Sequence, residues 1–214
     1  MSYNGQNYPV TIIQGYTFKP SKCGISFRSF EIPATVTAVG IECFKGQDYL
    51  ESVDIRGPLQ TISSSVFEDC TSLKYIDLPE TVETIGDKSF KNTAIKSITI
   101  PENVNFLGMY ASPFEGCNLV SLRYDAIELT KGSMVLSHFG DMSSLKRVVF
   151  GPKVKVVPNT SFRRTSITDV VLPESVEKIG WQTFWSAQNW RRSNLVLICK
   201  KLEMVLLGIV VPLP

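Results

Sequence analysis

Phenylalanine recurs along the chain at a nearly constant interval. Successive members of the series lie 22 to 26 residues apart: Phe18, Phe44, Phe67, Phe90, Phe114, Phe139, Phe162 and Phe184. A period of about 20 to 50 residues indicates a stacked array of similar units. A unit this short cannot bury its apolar side chains alone, so neighbouring units must share one continuous core. The spacing therefore predicts eight stacked coils, the first of them incomplete.

An apolar triplet begins each full coil. In the segment LKYIDLPETVETIGDKSF, residues 73–90, the alternation Ile76-Asp77-Leu78 is typical of a short strand with one buried face. We expect one such strand in each coil. Proline often follows and ends the strand because it cannot donate to the ladder. The triplets are Phe27/Phe30/Ile32, Leu50/Val53/Ile55, Leu73/Ile76/Leu78, Ile95/Ile98/Ile100, Leu119/Leu122/Tyr124, Leu145/Val148/Phe150 and Ile167/Val170/Leu172.

A glycine follows an aliphatic residue between the triplet and the phenylalanine in several coils. The pairs are Val39-Gly40, Ile85-Gly86, Leu107-Gly108 and Ile179-Gly180. Glycine there suits a positive φ or a close backbone approach. We expect the next few residues to form one turn of α-helix or 3₁₀-helix. The predicted fold class is α/β, mostly β: a solenoid with a short-stranded parallel sheet on one side and short turns or 3₁₀/helical segments on the other.

The unit resembles that of the BspA-like, or treponemal-class, leucine-rich repeats, L-x-x-I-x-I-P-x-x-V-x-x-I-G-x-x-A-F-x-x-C-x-x. Residues 73–95 and 95–117 fit this unit closely, the second with two extra residues before Phe114. The resemblance covers about residues 3–200. It implies a right-handed leucine-rich-repeat solenoid without catalysis, typically part of bacterial surface or secreted proteins that bind macromolecules of host or neighbouring cells.

Residues 1–214 are predicted to form a single leucine-rich-repeat domain of about seven full repeats and a partial N-terminal one, since no linker-like segment interrupts the pattern. The 22 basic and 20 acidic residues give a net charge of +2, which offers no broad surface for nucleic acid. We expect a protein or another macromolecular ligand, and no nucleic acid.

The chain ends in an apolar stretch, residues 204–211. It is too short to cross about 30 Å of hydrocarbon as a helix, so we expect no membrane-spanning segment. It is interpreted as a cap for the array or as a strand that pairs with something else. If nothing covers it, self-association through this end is expected.

The opening sequence MSYNGQNYPV contains no basic residue and no apolar run, so no signal peptide is visible in this chain. Two function classes stay open. The resemblance favours an extracellular or cell-surface adhesion and protein-interaction protein, whereas the missing signal favours an intracellular protein-protein interaction scaffold.

No motif in the sequence indicates an enzyme, and we expect no catalytic residues, no bound metal and no cofactor. His138 is the single histidine and is expected at the surface.

Cys70 and Cys117 hold the same position in their coils, three residues after the phenylalanine, and their coils are separated by one other coil. Their separation of roughly 10 Å exceeds the limit of about 7 Å between the Cα atoms of a disulfide. We expect both, and Cys43, to be small structural residues.

The outward side chains of the strands form the first candidate contact surface, because solenoid sheets commonly present an extended binding platform. One column is Ser29, Ser52, Tyr75, Ser97, Ser121, Arg147 and Asp169, and the other is Glu31, Asp54, Asp77, Thr99, Arg123, Val149 and Val171. The predicted partner contacts are Tyr75, Arg123, Arg147, Val149 and Val171. The two valines are expected to be exposed side by side, although valine also simply favours strands.

The tryptophans form a second candidate contact, because Trp and Arg are enriched in interface hot spots. Trp181, Trp185 and Trp190 all lie in or just after the last full unit, followed by Arg191 and Arg192. The alternative is that they shield the open end of the core. A further irregularity is the extended segment LTKGSMVLSHF, which is either a specificity loop or a tolerated departure from the pattern.

Overall fold

The computed structural model describes residues 2–3, 6–7, 9–129 and 137–187. In chain order the elements are β1 (Ser2–Tyr3), β2 (Gln6–Asn7), β3 (Ile12–Ile13), α1 (Pro20–Cys23), β4 (Ser29–Ile32), β5 (Ala38–Val39), β6 (Ser52–Ile55), β7 (Thr61–Ile62), β8 (Tyr75–Ile76), β9 (Thr84–Ile85), β10 (Ser97–Ile100), β11 (Phe106–Leu107), β12 (Ser121–Tyr124), β13 (Arg147–Phe150), β14 (Val156–Val157), β15 (Asp169–Val171) and β16 (Lys178–Ile179). The fold is a mostly β solenoid, as predicted. We number its coils one to eight by the phenylalanine that ends each coil.

The apolar triplets form the first sheet. Its strands pair in parallel between equivalent positions of successive coils, for example Val53 with Phe30 and Val148 with Leu122. Alternate side chains then point into one shared core, where Val53, Leu122 and Val148 are buried. The strand orders are β4-β6-β8 and β10-β12-β13-β15.

A second sheet corrects the prediction of one strand per coil. The residues before the glycine, such as Thr84-Ile85, form two-residue strands that also pair in parallel. These strands are ordered β11-β9-β7-β5-β3, with a separate pair β14-β16. Two residues are too few to show a period-2 alternation, so the sequence pattern could not reveal them.

The residues between the glycine and the phenylalanine form turns, so the prediction of a helical segment there was wrong. Ser65 and Asp69, on either side of Phe67, have φ values of 57° and 62°. A right-handed helical turn requires negative φ. The backbone N–H groups bond to the next coil instead: Phe67 donates to the Ser89 carbonyl at 2.8 Å and Asp69 donates to the Lys91 carbonyl at 2.9 Å. We call this series of bonds the turn ladder.

The eight phenylalanines form one interior column, as the spacing predicts. Each ring stacks on the next with centroids 5.2 to 5.5 Å apart, from Phe18 through Phe44, Phe67, Phe90, Phe114, Phe139 and Phe162 to Phe184. Identical positions in successive coils therefore supply a continuous aromatic core.

Close backbone packing explains the recurrent glycine. A Cβ atom on Gly86 would lie 2.7 Å from the backbone nitrogen of Ser64, and one on Gly40 would lie 2.3 Å from that of Gly15. Both contacts are with the preceding coil. A side chain at these positions would push neighbouring coils apart.

The first sheet is interrupted between β8 and β10. The fourth and fifth coils stay joined elsewhere, because β9 pairs with β11 and the Phe90 N–H donates to the Pro113 carbonyl at 2.9 Å. The interruption is therefore a loss of strand pairing that is confined to the first sheet.

Candidate functional site

The outward side chains of the first sheet form a surface that we call the strand face. Parallel pairing places equivalent residues beside each other, so Thr99, Arg123, Val149 and Val171 form one row across β10, β12, β13 and β15. The neighbouring row is Ser97, Ser121, Arg147 and Asp169. Four of the predicted contact residues, Arg123, Arg147, Val149 and Val171, are therefore brought together.

The two valines are neighbours in register but differ in exposure. Val171 is 45% exposed, whereas Val149 is half-buried. β13 lies between β12 and β15, so neighbouring side chains cover Val149 from both sides. The expectation that both valines are exposed is correct for Val171 alone.

Each arginine of this surface is held by a carboxylate. Arg123 Nε lies 2.6 Å from Asp125 Oδ2, and Arg147 Nε lies 3.3 Å from Asp169 Oδ2. Exposed ion pairs of this kind contribute little to stability, about 0 to 1 kcal/mol. Their effect here is to orient two guanidinium groups beside Val149 and Val171.

The other end of the strand face is more acidic. Arg56 pairs with Asp54 at 2.7 Å and with Glu31 at 3.5 Å. Tyr75 is 72% exposed and lies on β8, at the interruption of the sheet. Since β8 does not pair with β10, Tyr75 lies on a different part of the strand face from the arginines and valines.

The two tryptophans that the structure describes, Trp181 and Trp185, lie on the turns, away from the strand face. Trp181 is 59% exposed. Trp185 is half-buried and packs under the guanidinium of Arg163, whose Cζ lies 4.5 Å from the ring centroid. Trp190, and the apolar stretch 204–211, lie outside the described residues. The described part of the last coil therefore presents one exposed indole and one indole committed to a cation–π contact.

His138 is buried, with 4% of its surface exposed, so the expectation of a surface histidine was wrong. Burial lowers its pKa to about 4, because desolvation disfavours the charged imidazolium. The position directly before the phenylalanine is buried in other coils too, as Cys43, Val66 and Ser161 show. Comparison along that column was the signal that could have placed His138 in the interior.

Comparison with known proteins agrees with this architecture. The family model of the BspA type leucine rich repeat region, which has six copies, matches residues 6–120 and 109–191. The chain belongs to the BspA-type leucine-rich repeat family. No curated protein matches it.

Two solved structures share the fold. One is a leucine-rich repeat protein from Bacteroides ovatus ATCC 8483, with 22% identity and a TM-score of 0.50 over 89% of this chain and 71% of that chain. The other is the T. pallidum leucine rich repeat protein, with 20% identity and a TM-score of 0.55 over 90% of this chain and 77% of that chain. At this identity the likeness shows the fold alone.

The cysteine slot of the BspA-type unit holds a hydrogen-bond donor in this chain. Cys70 Sγ donates to the Phe44 carbonyl at 3.1 Å, and Cys117 Sγ donates to the Phe90 carbonyl at 2.8 Å. Thr93 fills the slot between them and donates to the Phe90 carbonyl at 3.0 Å. Cys43, Cys70 and Cys117 are free and buried, which confirms their structural role. Cys199 lies outside the described residues.

Metal-binding clusters and membrane-spanning helices are both absent from the described residues. No group of three or more His, Cys, Asp or Glu side chains in this part of the repeat array is placed to hold a metal ion. None of its helices is long and apolar enough to cross a membrane.

Proposed function

We propose that this chain is a non-enzymatic module that binds a protein or another macromolecule through the strand face of β12, β13 and β15. Leucine-rich repeats commonly mediate protein–protein interaction, and the BspA-type family to which the chain belongs supports that reading. The observation that carries the proposal is the row in which Val149 and Val171 lie beside two oriented guanidinium groups. Arginine is enriched among interface hot spots, and the buried centre of an interface is more apolar than its rim.

The proposed setting is a cell surface or the extracellular space, where the module acts in adhesion. The resemblance to BspA-like repeats supports this setting. The arginines of the strand face are already paired with Asp125 and Asp169, which favours a protein partner over the phosphate backbone of nucleic acid.

Trp181 is proposed as a second contact on the turns. Its 59% exposure supports a contact role over shielding of the core. Trp185 is already engaged by Arg163, so we assign the contact to Trp181.

The test uses the purified chain as bait for cell-surface proteins of neighbouring cells, followed by a direct affinity measurement with each captured protein. Val171→Asp and Arg147→Glu are each expected to weaken binding at least about tenfold, because they place charge in the centre of the contact. Ile41→Asp is the matched control, since Ile41 is 44% exposed and lies on the turns of the second coil. A captured partner whose affinity is unchanged by both strand-face substitutions contradicts the proposal.

A further inference from the structure

The turn ladder joins neighbouring coils at the phenylalanine and at the residue two positions later, and at some junctions also at the residue two positions earlier, as Glu42 and Ser65 show. Between the second and third coils, for example, the Phe44 N–H donates to the Val66 carbonyl at 2.9 Å and the Gly46 N–H donates to the Glu68 carbonyl at 2.8 Å. Phe139 and Asp141 make the same two bonds to the seventh coil. The ladder is therefore a regular feature against which an irregular junction can be recognised.

The junction between the fifth and sixth coils departs from this ladder. The Phe114 N–H donates to Ser112 Oγ at 3.1 Å, and Ser112 Oγ donates to the His138 carbonyl at 2.5 Å. The register would pair the Gly116 N–H with the Gly140 carbonyl, but within the described residues these two groups do not bond to each other. A side-chain hydroxyl has replaced one direct backbone bond, and the second bond is missing.

Proline explains the departure. Ser65 and Lys88, two positions before the phenylalanine of their coils, adopt positive φ values of 57° and 55°. Ser112 holds the equivalent position but precedes Pro113, which pushes a residue towards extended conformations. Ser112 is not among the residues with positive φ. The turn of the fifth coil therefore cannot follow the path of its neighbours.

The irregular junction borders a cleft of about 420 Å³ that is open to solvent, which we call the turn cleft. Ser112, Glu115 and Gly116 contribute to one wall, and Gly140 and Asp141 contribute to the other. This volume lies within the range of about 300 to 1,000 Å³ that is common for small-molecule sites.

The charges at the turn cleft are neutralised within the protein. Glu115 pairs with Lys91 at 2.8 Å. Asp141 binds Arg164 through both carboxylate oxygens, at 2.6 and 3.0 Å. A cationic ligand would have to displace Lys91 or Arg164, and an anionic ligand would approach two carboxylates. The electrostatics therefore favour a neutral ligand.

The turn cleft offers both hydrogen-bond donors and acceptors. Gly116 and Gly140 both line it and have no side chain of their own, and the polar side chains of Asn92 and Ser137 lie beside their Cα atoms. Asn118, Ser143 and Ser144 also line it and can each donate and accept. A ligand that matches this set carries several groups that are donors and acceptors at once, and hydroxyl groups have this property.

We propose that the turn cleft binds a neutral saccharide of one or two rings. The site is separate from the strand face and does not depend on it. Saccharide recognition at the turns would give the module a second ligand class in addition to a macromolecular partner.

The test is a titration of the isotopically labelled chain with glucose, galactose, N-acetylglucosamine and maltose, each taken to high millimolar concentration, followed by amide NMR shifts. At least one sugar is expected to shift the Gly116 and Gly140 amide signals with a saturable, millimolar dissociation constant. Ser144→Trp, which fills the turn cleft, is expected to weaken binding at least about tenfold. Ser72→Trp is the matched control, because Ser72 is half-buried at the same position of the fourth coil.

Asn118→Ala gives a second test that does not add bulk, since Asn118 is exposed and its loss leaves the core intact. It is expected to weaken saccharide binding several-fold, while Val171→Asp leaves that binding unchanged. Absence of a saturable shift with all four sugars, which means that the turn cleft holds water only, overturns the proposal. Binding that survives both Ser144→Trp and Asn118→Ala overturns it as well.

Discussion

Phe90 and Phe114 stack with their ring planes within 3° of parallel and their centroids 5.4 Å apart. Phe67 stacks on the opposite side of Phe90 at 5.5 Å. A ring in the middle of the column therefore contacts two equivalent rings, and its removal leaves a cavity with aromatic walls above and below. The stability of the array depends on such contacts between coils, because no coil holds a core of its own.

Phe90→Ala is expected to lower the free energy of unfolding by about 3 to 5 kcal/mol, the usual cost of removing a buried phenylalanine side chain. Phe90 is fully buried. Urea denaturation followed by circular dichroism measures the change. Tyr75→Ala is the control, since Tyr75 is 72% exposed and its truncation is expected to cost less than about 0.5 kcal/mol. Equal losses of unfolding free energy in the two variants would contradict the conclusion that the aromatic column stabilises the array.

Gly86→Ala is expected to cost about 3 kcal/mol, because the new Cβ would lie 2.7 Å from the Ser64 nitrogen and backbone cannot move aside easily. Gly46→Ala separates this effect from backbone strain. Gly46 has a φ of 77° but no atom within 4 Å of an added Cβ. The Gly46→Ala substitution is therefore expected to lower the free energy of unfolding by only about 1 kcal/mol. Chemical denaturation of both variants gives the comparison. A larger loss at Gly46 than at Gly86 would mean that positive φ, and not the close approach, matters most.

Most of the fold could be predicted from two features of the sequence, the long period and the apolar triplets. Phenylalanine spacing located the core, and strand alternation located the first sheet. The second sheet was not predictable, because Thr84-Ile85 gains its strand geometry only from pairing with the adjacent coils. The turns were misjudged for the same reason, since the N–H groups of Phe67 and Asp69 are satisfied by the next coil and not within a helix.

The candidate surface was predictable in position but not in detail. Equal spacing of the triplets placed Val149 beside Val171 in register. Exposure depends on neighbours across the sheet, which is why Val149 is half-buried. The interruption between β8 and β10, which separates Tyr75 from the arginines, leaves no mark in the sequence pattern.

The interruption of the first sheet predicts a difference in hydrogen exchange. The Ser121 N–H donates to the Lys96 carbonyl at 3.2 Å. The equivalent amide of Ser97 faces the interruption, where β10 does not pair with β8. We expect the protection factor of Ser97 to be at least about tenfold lower than that of Ser121, because exchange requires an unbonded amide. NMR-detected exchange measures both amides in one sample, and equal protection would show that the two strands are bonded in solution.

His138 predicts a loss of stability at mildly acidic pH. Burial lowers its pKa in the folded protein to about 4, from an ordinary value of 6.5. Between these values the unfolded chain binds a proton that the folded chain does not, so stability falls as the pH decreases. From about pH 7.5 to about pH 5 the loss is about 2 kcal/mol.

The matched variant for this effect is His138→Gln, which removes the titrating group at the same position. Its unfolding free energy is expected to change less over that pH range than that of the wild type, as measured by urea denaturation at each pH. Parallel pH profiles for the two proteins would show that His138 is not the group responsible.

Cys70 predicts a loss of stability at alkaline pH. Burial raises the pKa of its thiol to about 12, whereas the ordinary value is 9.0. Above pH 9.0 the unfolded chain releases a proton that the folded chain retains, so stability is complete below that pH and declines as the pH rises towards about 12. At about pH 10.5 the ionisation of this one thiol in the unfolded chain lowers the free energy of unfolding by about 2 kcal/mol.

Cys70→Thr isolates the contribution of Cys70 without disturbing the turn. Thr93 and Thr165 occupy the same slot in other coils and donate to the carbonyls of Phe90 and Phe162 at 3.0 and 2.9 Å. Threonine at position 70 therefore keeps a donor, directed to the Phe67 carbonyl of its own coil in place of the Phe44 carbonyl, and removes the titration. We expect the variant to lose less stability than the wild type between about pH 8.5 and about pH 10.5, as measured by urea denaturation at each pH. Other groups with raised pKa values, including the Cys43 thiol at about 11, act equally in both proteins and cancel in the difference. An unchanged alkaline slope in Cys70→Thr would place the Cys70 thiol in contact with solvent.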